Sequence, residues 1–414
     1  MSGLLNINTY HYRRGGADVV SFEHMRLFAE RGWPVAAFAM HHPANEPSPW
    51  SRHFVAEIEY GRPYSWSEKL RKAGQAIYSL EARRNLAGLL DAFPAEIAHL
   101  HNIYHHLSPS ILPVLKRRGL KTVMTAHDLK LACPAYRMHN GRTVCERCRS
   151  GFLLPCTLRR CLHGSLALSA LVTLESSVHR LLGLYRRHLD AVVCPSRFYR
   201  DTLIAWGWPA DRLVHIPNPV RGLDGAVAPV PPGRHVLHFG RLSQEKGLAT
   251  LIRAAAAAAV PVVLAGEGPE RAGLERLAAA CGADIVFRGR LDGAALAAEI
   301  DAARACVLPS EWYENAPMSL VEAAARGRIT LGAAIGGIPE MIRPGETGFL
   351  FKTGSVADLA SRLREVATLP DVRLTTMGTA AAAFVRGAFG EAAYVAAMTD
   401  LYRSLGVRIP AGPP

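Results

Sequence analysis

Short apolar runs alternate along the chain with stretches whose apolar positions recur every three or four residues. The runs are too brief for helices and are bounded by Gly, Pro, Asn and Ser, so they read as strands. A first series comprises Leu4–Asn8, Val35–Met40, Ile97–Leu100, Thr122–Thr125, Ala191–Cys194 and Val214–Pro217. A second comprises His235–Phe239, Val260–Ala265, Asp284–Arg288, Ala305–Leu308, Ile329–Gly332 and Gly348–Phe351. A turn or polar loop and then a helical stretch follow most of these strands, which is the pattern of α/β units. Between the two series lies Asn218–Gly233 (NPVRGLDGAVAPVPPG), whose Pro and Gly content suits a linker and no regular element. The expected organisation is a Rossmann-like domain over residues 1–222, a second over 223–387, and a C-terminal helix and tail over 388–414. In that last segment Tyr394, Met398, Leu401, Tyr402 and Leu405 share one helical face. Two open parallel sheets predict a ligand at the carboxyl ends of their strands, in a cleft between the domains.

Composition agrees with a globular chain of 414 residues: 49% hydrophobic and 20% charged, enough for two cores. No apolar run reaches the length of a membrane span. The first residues lack the basic start and long apolar stretch of a signal peptide, so a cytoplasmic location is expected. The net charge of +13 is not evenly spread. Residues 1–222 hold 29 Lys and Arg against 16 Asp and Glu, whereas the rest hold 19 against 19. An anionic partner of the first domain is the expectation, such as a lipid phosphate, the face of a membrane or nucleic acid. The segment Trp66–Phe93 carries a stripe of Trp66, Leu70, Ala73, Ile77 and Leu80 flanked by Lys69, Arg71, Lys72, Arg83 and Arg84. Such a face either packs on its own sheet, which is the favoured reading, or lies on anionic lipid.

Candidate chemistry is concentrated in two segments of the second half. In HFGRLSQEKGLATLIRA (238–254) a strand ends at a glycine turn, with Arg241 and Lys246 beside the start of a helix. Two cations at a helix N-terminus make a receptor for a diphosphate and can stabilise the charge that develops on a departing nucleotide. In SEWYENAPMSLVEAAARG (310–327) Glu314 falls in a loop and Glu322 in the helix that Pro317 opens. A carboxylate accepts two hydroxyl hydrogen bonds, which suits a ribose diol. The loop Asn315, Ala316, Pro317 and the amides of Met318, Ser319 and Leu320 would face the donor sugar and phosphates.

In the first half, Gly15, Gly16 and Asp18 lie at a strand-to-helix turn that permits close approach of a phosphate or a reacting sugar. His127 and Asp128 follow another strand end; His127 could donate to a sugar hydroxyl and Asp128 could orient it. The histidines of HLHNIYHH (99–106) read as structural, because His99 and His101 alternate along a strand. Ser196 reads as a helix cap or as a lip of the cleft. Cys145, Cys148, Cys156 and Cys161 fall within 17 positions, and in a cytoplasmic chain such a cluster suits either a structural zinc ion pinning an insertion over about 133–163, or reduced thiols.

The segment FGRL-x2-EKG followed by E-x7-E resembles the family 4 glycosyltransferases, retaining enzymes of the GT-B fold. GEGP at Gly266–Pro269 and GGIPEMI-x4-TGFLF from Gly336 to Phe351 are similar to further motifs of that family. Some of its members carry a comparable cysteine-rich insertion. The resemblance implies that Arg241 and Lys246, with Gly16, hold the donor diphosphate, that Glu314 contacts the donor sugar and that Glu322 contacts the ribose. It implies that Gly266 and Glu267 lie on the nucleotide side and that His127 reaches the sugar near the anomeric carbon. Gly15, Asp18 and Asp128 fall on the acceptor side, where Asp18 stands in place of the glutamate usual in the family. It also implies a C-terminal helix that crosses back to the first domain.

The expectation is therefore a retaining glycosyltransferase that needs no cofactor or metal for catalysis. Its donor would be a UDP- or GDP-linked sugar and its acceptor a glycan or lipid-linked glycan of bacterial surface polysaccharide synthesis. It would sit in the cytoplasm, peripheral on the membrane's inner face. A nucleotide-sugar epimerase or phosphorylase on the same architecture is the rival among enzymes. A basic, zinc-containing nucleic-acid-binding protein is the rival from another class, but it leaves the second domain unexplained and nucleic acid is not an expected partner.

Overall fold

The computed structural model describes residues 3–58, 65–141, 143–223 and 231–410. Its strands are β1 (Gly3–Ile7), β2 (Val35–Phe38), β3 (Ala95–Leu100), β4 (Lys121–Thr125), β5 (Ala191–Cys194) and β6 (Leu213–His215) in one sheet. The other sheet holds β7 (Val236–Phe239), β8 (Val262–Ala265), β9 (Ile285–Gly289), β10 (Ala305–Leu308), β11 (Thr330–Ala333) and β12 (Gly348–Phe351). All pairings in both sheets are parallel, in the orders β2-β1-β3-β4-β5-β6 and β12-β11-β10-β7-β8-β9. Every strand overlaps one of the apolar runs; strands buried on both faces are apolar throughout, while the edge strand β9 stays half exposed along its length. The two sheets of a GT-B fold are thus present, with the α/β class read from the sequence.

Strand order fixes where function can sit. In the first sheet the order reverses between β1 and β3, and in the second between β7 and β10. At such a switch point adjacent connections leave in opposite directions and open a crevice at the carboxyl ends. The segment after β1 carries Gly15 and Gly16; that after β7 carries Arg241 and Lys246; that after β10 carries Glu314.

The chain divides into two compact units. One contains the described residues of 1–140, 146–219 and 394–414, the other those of 141–145 and 220–393. The C-terminal helix Glu391–Ser404 contributes Tyr394, Met398, Leu401 and Tyr402 to the core of the first unit, against Leu4, Phe28, Trp33 and Ile97. Within the linker reading, Asn218–Gly233, residues 224–230 lie outside the described residues.

Two local findings refine the sequence reading. Ser196 caps the helix Arg197–Ala205 by accepting from the Tyr199 amide at 3.2 Å. The segment Trp66–Phe93 forms two helices, Trp66–Ile77 and Leu80–Ala92, started by Ser65 and Ser79. Their apolar stripe does not pack throughout, since Trp66 is 81% exposed and Leu80 64%.

Candidate active site

In the second unit, β7 ends at Phe239 and a single turn of 3-10 helix, Gln244–Lys246, delivers Lys246 to the start of the helix Leu248–Ala258. Gly247 makes the bend with φ +66°, and a side chain there would strike the Pro309 carbonyl at 2.0 Å. This close approach brings the loops after β7 and β10 together. Lys246 Nζ then donates to Glu314 Oε1 at 2.6 Å, and the same oxygen accepts from Ser310 Oγ (2.6 Å) and Trp312 Nε1 (2.8 Å). Burial alone would push the Glu314 carboxyl upward. The Lys246 charge and the three hydrogen bonds outweigh it and hold the group below its ordinary range. Among the described residues Oε2 of Glu314 has no protein partner, so one oxygen is fixed and the other is left to accept. The glycine loop after β11 holds Glu314 from the far side: Gly337 N donates to its carbonyl at 2.7 Å, and a Cβ on Gly336 would lie 2.4 Å from that oxygen.

Glu322 stands on the helix Met318–Ala325, capped by Pro317. It makes no hydrogen bond or ion pair among the described residues, and burial raises its carboxyl. Both oxygens are therefore open to a diol. Leu320 is buried in the core, so only its amide and those of Met318 and Ser319 mark the helix start; Asn315 and Ala316 are half-buried in the preceding loop. Arg241 is half-exposed and pairs with Glu245 at 2.6 Å. Gly266 takes φ +150° and packs on the Gly240 carbonyl, which a Cβ would approach to 1.8 Å. Glu267 faces solvent and pairs with Arg271 at 2.5 Å. Its side chain is thus engaged away from Lys246 and Glu314, while its carbonyl accepts from Leu242 N.

In the first unit, Gly15, Gly16, Asp18 and Asp128 line one cavity of about 390 Å³ together with Tyr104 and His106. Asp18 is buried; Oδ1 accepts from Asn8 Nδ2 at 2.8 Å and Oδ2 from Gly15 N at 3.1 Å. It fixes the turn, and burial raises its carboxyl despite these two bonds. Gly15 is extended (φ −159°), and a Cβ at Gly16 would meet nothing within 4 Å. The fold itself does not demand glycine at Gly16, which leaves its backbone open to an incoming group.

Asp128 caps the turn Leu129–Leu131 by accepting from Lys130 N at 2.9 Å, and burial raises its carboxyl. The partner of the His127 ring is instead His101, with Nε2 of His127 2.8 Å from Nδ1 of His101 and the rings stacked at 5.1 Å. The tautomers follow from the neighbours. Asn6 Nδ2 donates to Ser21 Oγ, so its Oδ1 accepts from His101 Nε2 at 3.1 Å. The Nδ1 of a neutral His101 is then an acceptor, and His127 donates to it through Nε2. Burial pulls His127 down to about 3, and His24, His99 and His101 well below the ordinary histidine range. His99 links Thr125 Oγ1 (2.7 Å) to Tyr402 OH (2.6 Å) of the C-terminal helix. His99 and His101 thus belong to a hydrogen-bonded core at the end of β3, whereas His105 and His106 line the cavity beside Gly15 and Gly16.

Among the described residues no three His, Cys, Asp or Glu side chains are placed to hold a metal ion. The cysteines are free thiols, and Cys156, hydrogen-bonded by Cys161, is pulled down to about 7. Of the four cysteines read from their spacing as a zinc site or as reduced thiols, Cys145 groups with the second compact unit and Cys148, Cys156 and Cys161 with the first.

Residues 14–221 match the model of Glycosyltransferase Family 4, and residues 229–382 that of Glycosyl transferases group 1. Sulfoquinovosyl transferase SQD2 of Arabidopsis thaliana is 35% identical over 135 residues, 31% of this chain and 26% of that protein. The chain thus matches about a quarter of the length of that curated relative. Sucrose-phosphate synthase of Thermosynechococcus elongatus superposes with a TM-score of 0.67 at 20% identity, covering 98% of this chain and 99% of that one. The Anabaena protein HepE, solved in complex with UDP, superposes with a TM-score of 0.66 at 17% identity over 98% and 99%.

Proposed function

We propose, from the premise that this chain belongs to the group 1 glycosyltransferases of family 4, that it moves a sugar from a nucleotide diphosphate donor to a glycan or lipid-linked glycan. The observation that carries the reading is Glu314, a buried carboxylate with one oxygen saturated by Lys246, Ser310 and Trp312 and the other without a protein partner. Such a group is positioned to accept from a sugar hydroxyl without moving. Lys246, and Arg241 once released from Glu245, supply positive charge to a diphosphate leaving group. Glu322 accepts from the ribose diol through its two free oxygens.

In this reading the donor is UDP- or GDP-linked; UDP is the ligand of a structure that shares the fold. The transfer retains anomeric configuration. No carboxylate of the first unit's cavity is free to act as a nucleophile, because Asp18 and Asp128 are each engaged in fixing a turn. The leaving phosphate then assists deprotonation of the acceptor on the same face, and the fixed cations do what a catalytic metal would otherwise do. The neutral His127 ring, held by His101, orients the sugar by hydrogen bonding and does not carry charge.

A lipid-linked acceptor of surface polysaccharide synthesis and a peripheral position on the membrane draw support from the positive excess of residues 1–222 and from exposed Trp66 beside Lys69. No helix among the described residues is long and apolar enough to cross a membrane. The test is release of nucleoside diphosphate from a panel of UDP- and GDP-sugars with a mixed acceptor extract, with product configuration read by proton coupling. Turnover that survives EDTA with a retained product supports the reading. An inverted product, or loss of turnover on chelation with the fold intact, contradicts it.

A further inference from the structure

The first unit holds a second cavity, of about 320 Å³, that the donor and acceptor readings leave unused. The helix Leu166–Leu181 supplies Ser176, His179 and Arg180 to its wall, at helical spacings that put them on one face. The next helix, Leu184–His188, adds Tyr185 and Arg186, and the segment after Arg197–Ala205 adds Trp206 and Trp208.

Its charges are uncompensated. Arg149 donates to the Ala205 carbonyl (3.1 Å), Arg180 to that of Ala132 (3.2 Å) and Arg186 to that of Trp206 (3.1 Å). Each guanidinium is thus anchored by a backbone oxygen, and among the described residues none of the three pairs with a carboxylate. Burial and the nearby Arg186 charge both disfavour the Arg180 cation. A bound anion would relieve that repulsion.

Its polar atoms are unsatisfied. Ser176 Oγ, His179 Nδ1 and Tyr185 OH are buried without a hydrogen-bond partner, and His179 is only 3% exposed. Buried polar groups are nearly always paired, so three orphans at one cavity call for an occupant. His179 Nε2 donates to the Ile77 carbonyl at 2.7 Å, which leaves Nδ1 as an acceptor. Its nearest charged neighbour, Glu175 Oε1 at 3.9 Å, is also an acceptor. The occupant must therefore bring a hydroxyl to His179 as well as an anion to the arginines. Trp206 lines the wall beside these groups, and the Arg186 guanidinium lies over the Trp208 ring at 5.3 Å from its centroid.

We propose that this cavity is a binding site for a sugar phosphate, separate from the donor site and from the cavity at Gly15 and Gly16. Glu175 lies between it and the latter, with Oε2 2.9 Å from Lys130, which lines this cavity, and Oε1 3.1 Å from His105, which lines the other. The phosphate ester is either a soluble metabolite or the headgroup of a lipid-linked sugar.

Isothermal titration of the full chain, with UDP present throughout to occupy the donor site, distinguishes these sources. The probes are glucose 1-phosphate, inorganic phosphate, glucose and a farnesyl diphosphate-linked glucose. Glucose 1-phosphate is expected to bind at least tenfold more tightly than phosphate or glucose. Arg180→Gln with Arg186→Gln is expected to weaken it at least tenfold. The milder pair Ser176→Ala and Tyr185→Phe removes unpartnered hydroxyls, leaves thermal stability unchanged, and is expected to weaken binding about threefold or more. Displacement of glucose 1-phosphate by the prenyl-linked sugar identifies the lipid source, and failure to displace it identifies the soluble one. Absence of glucose 1-phosphate binding, equal binding of inorganic phosphate, or equal binding by both variant pairs overturns the proposal. Because Ser176, Arg180, Tyr185 and Arg186 all line this cavity, weakening by the variants places the ligand here whether or not UDP fills the donor site.

Discussion

Lys246 Nζ and Glu314 Oε1 lie 2.6 Å apart, joining two loops that are 68 residues apart in sequence. The glutamate side chain is 9% exposed and the lysine 17%, so the pair is shielded from the solvent that weakens surface ion pairs. Lys246→Ala leaves Glu314 buried with Ser310 and Trp312 still bonded to it. We expect a loss of about 2–3 kcal/mol, below the full cost of an orphaned buried charge. Chemical denaturation of Lys246→Ala, Glu314→Gln and the double variant checks this. The double variant should cost clearly less than the sum of the singles, and strict additivity would show the pair to be uncoupled.

Glu322 behaves in the opposite way. Its carboxyl is raised by burial and meets no cation, so ionisation opposes folding. The unfolded chain releases this proton first, and stability contributed by the group falls as pH rises from the ordinary glutamate value to the raised one. Above that window the charge is a net cost. Glu322→Gln is expected to leave the protein as stable or slightly more so at pH 7, by less than about 1 kcal/mol, while nucleotide affinity drops. A variant that melts several degrees lower would mean Glu322 has a structural partner.

Gly16 separates packing from approach. A Cβ there would meet nothing within 4 Å, so Gly16→Ala should fold normally. If a ligand approaches this backbone, turnover should fall at least tenfold with little change in melting temperature. Unchanged turnover would mean the site is empty of reacting groups.

His127 and His106 are each pulled down to about 3, and His24, His99 and His101 are likewise depressed, all by burial. In the unfolded chain these rings take up protons near pH 6.5. The unfolded state therefore binds more protons between pH 6.5 and the folded values, and stability is lost as pH falls through that window. Each ring adds a slope of about 1.4 kcal/mol per pH unit. Denaturation at pH 7, 6 and 5 should show this steep loss, and replacing His99 with Gln should flatten it. Activity carried by His127 should stay pH-independent from 6 to 8, since the ring is neutral throughout.

The strands and the two loops of cations and carboxylates were legible in the sequence because both depend on local order. An apolar run of four residues announces a buried parallel strand, and a glycine after it announces the turn. What was not legible is who holds whom. Ser310 and Trp312 sit next to Glu314 in sequence but look like ordinary loop residues until one sees that all three donors reach a single oxygen. His101 and His127 are 26 residues apart, and only the pairing of β3 with β4 puts one ring on the other. Asp128, read as the partner of His127, turns out to cap its own turn. The stripe from Trp66 to Leu80 has helical periodicity, but periodicity does not say that a neighbour covers its ends, and both end residues remain exposed. Cysteine spacing likewise reports which thiols are near in sequence, and only the folded chain puts the Cys161 thiol against Cys156.

The second unit is expected to hold a nucleoside diphosphate through Arg241, Lys246 and Glu322, with Glu314 left for the sugar of the donor. Isothermal titration of UDP and GDP into the wild-type protein and into Glu322→Gln tests it most directly, because that variant is expected to keep its fold. Binding of one nucleotide to the wild type, weakened tenfold or more in Glu322→Gln at unchanged melting temperature, is the predicted result. No binding of either nucleotide, or equal binding by both proteins, would contradict the account.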